Sequence, residues 1–282
     1  MRKLKTASTL LLSFLLCSIS IAQDLSETFG FGKEQFHFGN SNSAAIAFER
    51  VLFFSEDSFQ VESLNYLGEI ELRNAQPEKA ANYFQRAYNL ALDRNKQVEL
   101  LLKKCASLLE ASEIDLALID LFSIEDEVPD SLRKMKYFLQ GIAHFSRMSF
   151  TESHQSFLLS LDATEFNKKN KIDSLFVALE AIKGPKPKTA KVLSIILPGL
   201  GQLYAGDIKN GINSFLLTGG LIALGINTAI NLTLLDALMS VAPWFQRYYL
   251  GGYNRAEKIA ADKFKEKQNR VFLSILGVCE SP

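Results

Sequence analysis

The sequence predicts an all-α protein in which a helical-repeat superhelix is followed by a transmembrane helical hairpin. Two observations lead to this fold class. A pattern of small and bulky residues recurs every 36 or 37 residues within residues 24–181, and two long apolar stretches follow, at about 211–230 and 232–250. The 282 residues carry 31 basic and 31 acidic side chains. Bulk affinity for nucleic acid is therefore not expected, because it usually requires a basic excess.

The first 22 residues match the three-part pattern of a secretory signal peptide. Three basic residues stand before position 6, an apolar run covers 10–22, and the small residues Ser20 and Ala22 precede a cleavage site. We therefore expect export. An uncleaved anchor helix and lipid attachment at Cys17 are the alternatives, and the bulky Leu16 just before Cys17 disfavours the second.

Four segments share one spacing of small, bulky and apolar residues. They are Ala44/Phe48/Val51, Ala80/Phe84/Ala87, Ala117/Leu121/Ile124 and Ser153/Phe157/Ser160. A second small residue stands twelve positions before each segment, at Gly32, Gly68, Cys105 and Gly141. Positions i, i+4 and i+7 share a helix face, and two small positions per repeat indicate two helices that cross closely. We predict that the repeat-packing residues include Gly68, Ala80, Phe84, Ala87, Gly141 and Phe157.

The copy from Val61 to about Asp93 resembles the tetratricopeptide repeat. Its first helix is matched by Leu64, Leu67 and Gly68, and its second by Ala80, Phe84 and Ala87, with a turn ending at Pro77. The resemblance covers about 155 residues. It implies a superhelical scaffold whose concave groove binds a peptide or a partner helix, in a family that is rarely catalytic.

The repeat region is acidic, with 25 acidic and 16 basic residues between positions 23 and 181. Its densest acidic run, Glu125–Glu127, precedes Val128-Pro129 and is predicted to be an exposed loop between repeats. The alternative is a docking patch for a basic partner.

The composition changes at residues 182–191, where prolines, a glycine and lysines predict a stiff polar linker. A membrane domain is expected over 192–252. The stretch 211–230 carries no charge and, at about 1.5 Å per residue, spans roughly 30 Å, the thickness of a bilayer core. With 232–250 it predicts two transmembrane helices. Two buried helices of a soluble protein are the alternative.

A Pro/Gly-rich motif precedes the first apolar stretch and contains Pro198, Gly199, Gly201, Tyr204 and Gly206. We predict a turn at the membrane surface or a re-entrant segment. Together with Gly211, these residues resemble a small bacterial membrane domain with two transmembrane helices, in which such a turn precedes the first span. The resemblance covers about 60 residues and implies membrane insertion. Gln202-Leu203 stand where that family has a basic residue or His.

Asp236 is the intramembrane polar candidate, because an ionisable group within a membrane is a functional candidate by default. An interfacial position near the start of its helix is favoured over an ion pathway. The basic tail, 253–282, is either an amphipathic helix lying on anionic headgroups or a solvated charged helix. A cleaved signal and two spans place the tail and the repeats outside the cytoplasm, against the positive-inside tendency.

No pattern in the sequence indicates catalysis. The three histidines lack zinc-site spacing, and there is no nucleophile elbow and no Walker loop. We expect no enzyme activity, cofactor, metal or small-molecule substrate.

The hypothesis is a non-catalytic scaffold or adaptor in the bacterial inner membrane, whose repeat array binds a protein partner on the periplasmic side. Two alternatives stay open. One is a subunit of an envelope transport or assembly system in which the hairpin is the working part. The other is a soluble all-helical exported protein.

Overall fold

The computed structural model describes residues 24–55 and 59–280, and within them every regular element is a helix. The prediction of an all-α protein is confirmed. The predicted signal peptide, residues 1–22, lies outside the described residues. The chain divides into two compact units between Ser160 and Leu161. The change of composition at 182–191 therefore lies inside the second unit.

The first unit contains four consecutive helix pairs among its described residues. The pairs are α1 (Leu25–His37) with α2 (Ser41–Phe54), α3 (Phe59–Arg73) with α4 (Pro77–Leu90), α5 (Arg94–Glu110) with α6 (Ile114–Ser123), and α7 (Asp130–Ser146) with α8 (Phe150–Leu159). The two helices of each pair pack against each other. Pro77 begins α4 at a first-turn position, where its missing N–H has no intrahelical partner to lose.

In each pair a small residue of the first helix faces a bulky residue sixteen positions later. A Cβ atom added to Gly68 would lie 2.6 Å from the Phe84 ring. The third pair replaces glycine by Cys105 and phenylalanine by Leu121, and both are fully buried. In this pair the first position is larger than glycine, and the residue that faces it is smaller than phenylalanine. The residues Gly68, Ala80, Phe84, Ala87, Gly141 and Phe157 are all buried.

One turn geometry recurs between the two helices of every pair. A residue with positive φ stands at Gly39, Ala75, Ser112 and Met148, at the same spacing of 36, 37 and 36 residues. The next amide then donates to the carbonyl five residues back, as in the 2.9 Å bond from Gln76 N to Glu71 O. This is the Schellman arrangement that closes many helices.

The acidic run of the first unit is partly paired within the unit. Asp126 accepts hydrogen bonds from Lys136 Nζ at 2.7 Å and from the Tyr137 hydroxyl at 2.9 Å. These two bonds, that of Lys136 first, lower the pKa of Asp126. Glu125 pairs with Arg94. The run therefore helps to connect neighbouring helices, as well as carrying negative charge at the surface.

The second unit contains six helices among its described residues. They are α9 (Phe166–Glu180), α10 (Pro187–Ile196), α11 (Leu200–Tyr204), α12 (Ile208–Asn231), α13 (Leu234–Ser240) and α14 (Ala242–Glu280). Half of the predicted linker is therefore helical, because Pro187 occupies the first position of α10.

Within the described residues, α12 is the one helix with the length and apolarity to cross a membrane, and nearly all of its apolar window is exposed. The second predicted span, 232–250, is not one helix. Thr233 caps α13 by accepting a hydrogen bond from the Asp236 amide at 3.1 Å. Pro243 in the first turn of α14 has no N–H to donate to the preceding turn, so α13 and α14 are separate helices.

The apolar stripe of the C-terminal helix packs within the unit. Ala256 and Ala260 are fully buried in a cluster with Ala190 of α10. A Cβ atom on Gly184 would lie 2.6 Å from Phe264. Other residues of the protein therefore cover much of the apolar side of this helix, which an amphipathic helix lying on the membrane would turn toward lipid.

Candidate functional site

The 198–206 motif forms a short helix framed by two left-handed glycines. Gly199 has a φ of +92° at the N-terminus of α11, and Gly206 has a φ of +81° after its end. The Asp207 amide donates to the Gln202 carbonyl at 2.8 Å, which closes the helix. Side chains with a Cβ atom rarely adopt this backbone conformation. The chain therefore turns at both ends of α11, and α10 and α12 both run antiparallel to α14.

Two glycines of the motif are required by contacts with main-chain atoms. A Cβ atom on Gly201 would overlap the Ala190 carbonyl oxygen, and one on Gly199 would overlap the Gly211 carbonyl oxygen. Backbone cannot move aside as the end of a flexible side chain does. These glycines therefore bring α11 into direct contact with the backbones of α10 and α12.

A buried polar group joins the motif to two helices. Ser194 and Gln202 are each 1% exposed. The Ser194 hydroxyl accepts a hydrogen bond from the Gly201 amide at 2.9 Å and donates to Gln202 Oε1 at 2.8 Å. Gln202 Nε2 donates to the Gly252 carbonyl of α14 at 2.8 Å. Gln202, the departure from the resembled domain, is thus the hydrogen-bonding centre of this region.

Polar contacts at the surface hold the same helices together. The Lys186 amide donates to the Tyr204 hydroxyl at 3.2 Å, and the Tyr249 hydroxyl donates to the Ile195 carbonyl at 2.7 Å. Lys191 donates to the Glu257 carboxylate at 2.8 Å, and this bond raises the pKa of Lys191. The motif is therefore the centre of a packed arrangement of α10, α11, α12 and α14.

Asp236 lies outside this arrangement, in the first turn of α13. Its side chain accepts a hydrogen bond from the Thr233 hydroxyl at 2.6 Å, while its amide donates to the same oxygen. Asp236 is exposed. Thr233 thus caps α13 and also binds the Asp236 carboxylate, and an acidic side chain in the first turn of a helix is favoured by the helix dipole. This accounts for an acidic residue at this position without an ion pathway.

Burial shifts the pKa values of two side chains in the first unit. Burial raises the pKa of Cys105 to about 12, so its thiol is a poor nucleophile. Burial lowers the pKa of His144. Within residues 24–55 and 59–280, no three His, Cys, Asp or Glu side chains are placed to hold a metal ion.

Comparisons with family models, with curated proteins and with solved structures found no match to the chain. The functional argument therefore depends on the contacts of the chain itself. Sequence reasoning singled out the glycines and Tyr204 but missed Ser194, which has no motif of its own. It also missed a cleft between α12 and α14, lined in part by Thr218, Arg247 and Arg255.

Proposed function

We propose that this protein is a non-catalytic, membrane-anchored adaptor. Its second unit is held in the bilayer by α12, and its first unit binds a protein partner outside the cytoplasm. The observation that carries the proposal is the apolar surface of α12. Its large side chains that are at least 48% exposed include Ile212, Phe215, Leu216, Ile222, Leu224, Ile226 and Ile230. A continuous apolar surface of this kind is typical of a lipid or protein contact and not of a face in water.

The contacts around α12 support two crossings. A Cβ atom on Gly225 would lie 3.6 Å from Val241, and one on Gly252 would lie 3.0 Å from Ser214. The chain after α12 therefore runs back along it. Lys267 of α14 donates to the Lys183 carbonyl at 2.8 Å, which joins the tail to residues that precede α12. If α12 crosses the membrane, α13 and the start of α14 then provide the return.

The crossings are tested by single cysteines in a chain that carries Cys17→Ala, Cys105→Ala and Cys279→Ser. We place them at Ser26, Asn231 and Asn269 and treat spheroplasts with a thiol reagent that cannot cross the membrane. Ser26→Cys and Asn269→Cys should react at once. Asn231→Cys, at the far end of α12, should react only after permeabilisation. Reaction of Asn231→Cys in sealed spheroplasts would refute a crossing by α12, and protection of Asn269→Cys would refute the return.

The partner surface that we propose is the solvent face of α6. Leu116, Ile119 and Phe122 are 51%, 66% and 64% exposed, although the same helix also buries an apolar face. The positions equivalent to Ile119 in α4 and α8 are Asn82 and Gln155, both exposed. Packing of the pair therefore does not require an apolar residue here.

The charge of the first unit indicates the chemistry of its partner. Residues 24–160 contain 21 acidic and 13 basic side chains, a net charge of −8. An amphipathic helix with apolar anchors and basic flanks would complement both the apolar face of α6 and this field. We therefore propose a basic helical segment of a partner protein as the occupant.

Photo-crosslinking in cells tests this surface. A photoreactive amino acid replaces Ile119 or, as the matched control, Gln155. We expect a discrete adduct from position 119 that disappears when Leu116→Ser and Phe122→Asn are added, and no adduct from position 155. Equal adducts at both positions, or an adduct that persists in the substituted background, would contradict the proposal.

The exposed carboxylate of Asp236 on the short apolar helix α13 favours a second candidate, in which the membrane unit is the working part of an envelope transport or assembly system. Asp236→Asn distinguishes the two candidates, because it removes the charge and keeps the shape. Loss of function at a normal level of protein would favour the second candidate. Normal function is expected if Asp236 only stabilises the first turn of α13.

A further inference from the structure

A cleft of about 260 Å³ lies between α12 and α14, inside the second unit, and its lining includes Leu217 and Tyr248 as well as polar side chains. The side of α12 contributes Asn210, Asn213, Ser214 and Thr218, and the side of α14 contributes Arg247, Gly251, Gly252 and Arg255. Each set recurs at helical spacing, so each occupies one helix face. Among the described residues, the lining includes two arginines and no acidic side chain. The cleft is therefore a concentration of positive charge and hydrogen-bonding groups.

Arg247 has no partner within the protein that the structure describes, and Arg255 has a charge interaction with Asp207 but no hydrogen bond. Neither Arg247 nor Arg255 forms a hydrogen bond or an ion pair with any residue of the described ranges. They stand eight residues apart, or about 12 Å along the helix axis. A Cβ atom on Gly251, halfway between them, would meet nothing within 4 Å. The surface of α14 between the two arginines is therefore open to a ligand.

A buried hydroxyl supplies a second and independent observation. Thr218 is 1% exposed, and its Oγ1 atom has no hydrogen-bond partner in the described part of the chain. A threonine in a helix commonly satisfies its hydroxyl through the carbonyl one turn earlier, and a buried hydroxyl left unpaired is destabilising. Thr218 is one of the residues that line the cleft, so a ligand whose acceptor atom reached this enclosed hydroxyl would satisfy it.

We propose that this cleft binds a phosphate group, held by the guanidinium groups of Arg247 and Arg255 and by the Thr218 hydroxyl. Guanidinium forks match the paired oxygens of a phosphate, and the hydroxyl donates to a third oxygen. Asp207, the acidic residue nearest in sequence to the α12 side, accepts hydrogen bonds from the Asn210 amide at 3.0 Å and side chain at 2.6 Å. These bonds, and more weakly the charges of Arg255 and Lys263, lower the pKa of Asp207. Its carboxylate thus caps α12.

The position of the cleft indicates where the phosphate comes from. Gly252 lies beside Ser214, so Arg255, one turn further along α14, lies level with the beginning of α12. This is the end of the proposed span, where anionic headgroups would stand. A phospholipid headgroup and free phosphate share the required chemistry. The lipid source rests on the proposed membrane anchoring, whereas binding of phosphate does not.

The test uses the full chain in detergent micelles and the fluorescence of Trp244. This is the one tryptophan of the sequence, and it stands three residues before Arg247. The probes are phosphatidylglycerol, inorganic phosphate and diacylglycerol, which lacks a phosphate. Arg247→Gln/Arg255→Gln should weaken phosphatidylglycerol binding by about tenfold, and Thr218→Val by about threefold. The matched control, Lys258→Gln/Lys265→Gln, removes two exposed charges of α14 that do not line the cleft.

The control double variant should bind within about twofold of the unchanged protein. Saturation by phosphatidylglycerol alone assigns a headgroup, and saturation also by inorganic phosphate, with the same dependence on the arginines, assigns a free anion. Equal losses in the cleft and control variants, or an equal response to diacylglycerol, would overturn the proposal. Carbonate extraction separates the two proposals. If carbonate releases the chain and the released chain still binds phosphate through the arginines, the membrane anchor is contradicted and the phosphate site is supported.

Discussion

The helix pairs of the first unit and the 198–206 motif of the second use small residues in opposite ways. In the first unit a glycine accommodates an aromatic side chain from the paired helix, as Gly68 does for Phe84. In the 198–206 motif of the second unit glycines bring backbone against backbone, as Gly201 does beside the Ala190 carbonyl, although elsewhere in this unit Gly184 faces the Phe264 side chain. The first contact can be adjusted by changing both side chains, and the pair Cys105 and Leu121 shows such an exchange. The second contact offers no side chain to adjust, so it should tolerate no substitution.

The two units also differ in net charge. The first has a net charge of −8 over residues 24–160, while residues 161–282 hold 15 basic and 10 acidic side chains, a net charge of +5. The formal neutrality of the whole chain is therefore a cancellation. An acidic surface suits the basic partner that we propose, and basic residues beside an apolar helix suit anionic headgroups.

The largest effect is expected at Gly201. Gly201→Ala would drive a Cβ atom into the Ala190 carbonyl oxygen, and the cost should reach about 4 kcal/mol or more, beyond the common range for a single substitution. The thermal midpoint in detergent, followed by Trp244 fluorescence, measures it. The matched control is Gly220→Ala, because a Cβ atom there would meet nothing within 4 Å. A midpoint for Gly201→Ala equal to that of the control would contradict the backbone contact.

The next effect belongs to the first unit. Gly68→Ala should cost about 2 kcal/mol, because the added methyl group presses on the Phe84 ring. Adding Phe84→Leu should recover part of this loss, because a smaller side chain leaves room for the added methyl group. The third helix pair has the same combination, with Cys105 facing Leu121. We expect a coupling energy of about 1 kcal/mol in a double-mutant cycle. Urea unfolding followed by the reactivity of Cys105 provides the measurement, and additive effects would show that the two side chains do not compete for space.

Ser194→Ala tests the buried polar group of the second unit. It leaves the Gly201 amide and Gln202 Oε1 without their hydrogen-bond partner, which should cost about 1–3 kcal/mol. Ser240→Ala removes an exposed serine hydroxyl that bonds one turn back, and it should change stability by less than about 0.5 kcal/mol. Thermal unfolding of both variants in detergent compares them. Similar midpoints would mean that the Ser194 bond contributes nothing beyond an exposed one.

The smallest effect is a stabilisation. Ala75 adopts a left-handed conformation with a φ of +55°, so Ala75→Gly should stabilise the first unit by about 0.5–1 kcal/mol. Ala111→Gly, at a helix end with a φ of −71°, should instead destabilise it. Urea unfolding monitored by circular dichroism gives both signs. Destabilisation by Ala75→Gly would show that the turn carries no strain.

The structural roles that could be predicted from the sequence are those of residues in a local or periodic pattern. The spacing of small and bulky residues anticipates the sixteen-residue pairing of each helix pair. The left-handed turns escape notice because Ala75, Ser112 and Met148 are not residues that favour a positive φ, and only Gly39 is. The role of Gln202 depends on Gly252, fifty residues later, a contact that no local pattern encodes. The break in the second apolar stretch had signals, Thr233 and Pro243, but they are obscured by the surrounding apolar residues.

Alkaline carbonate extraction of membranes from cells that express the full chain tests the central proposal most directly. If the exposed face of α12 lies in lipid, the protein should remain in the pellet and dissolve only in detergent. Leu216→Glu/Leu224→Glu places two charges on that face and should release the protein or prevent its insertion. Release of the unchanged chain by carbonate alone would contradict the membrane anchor.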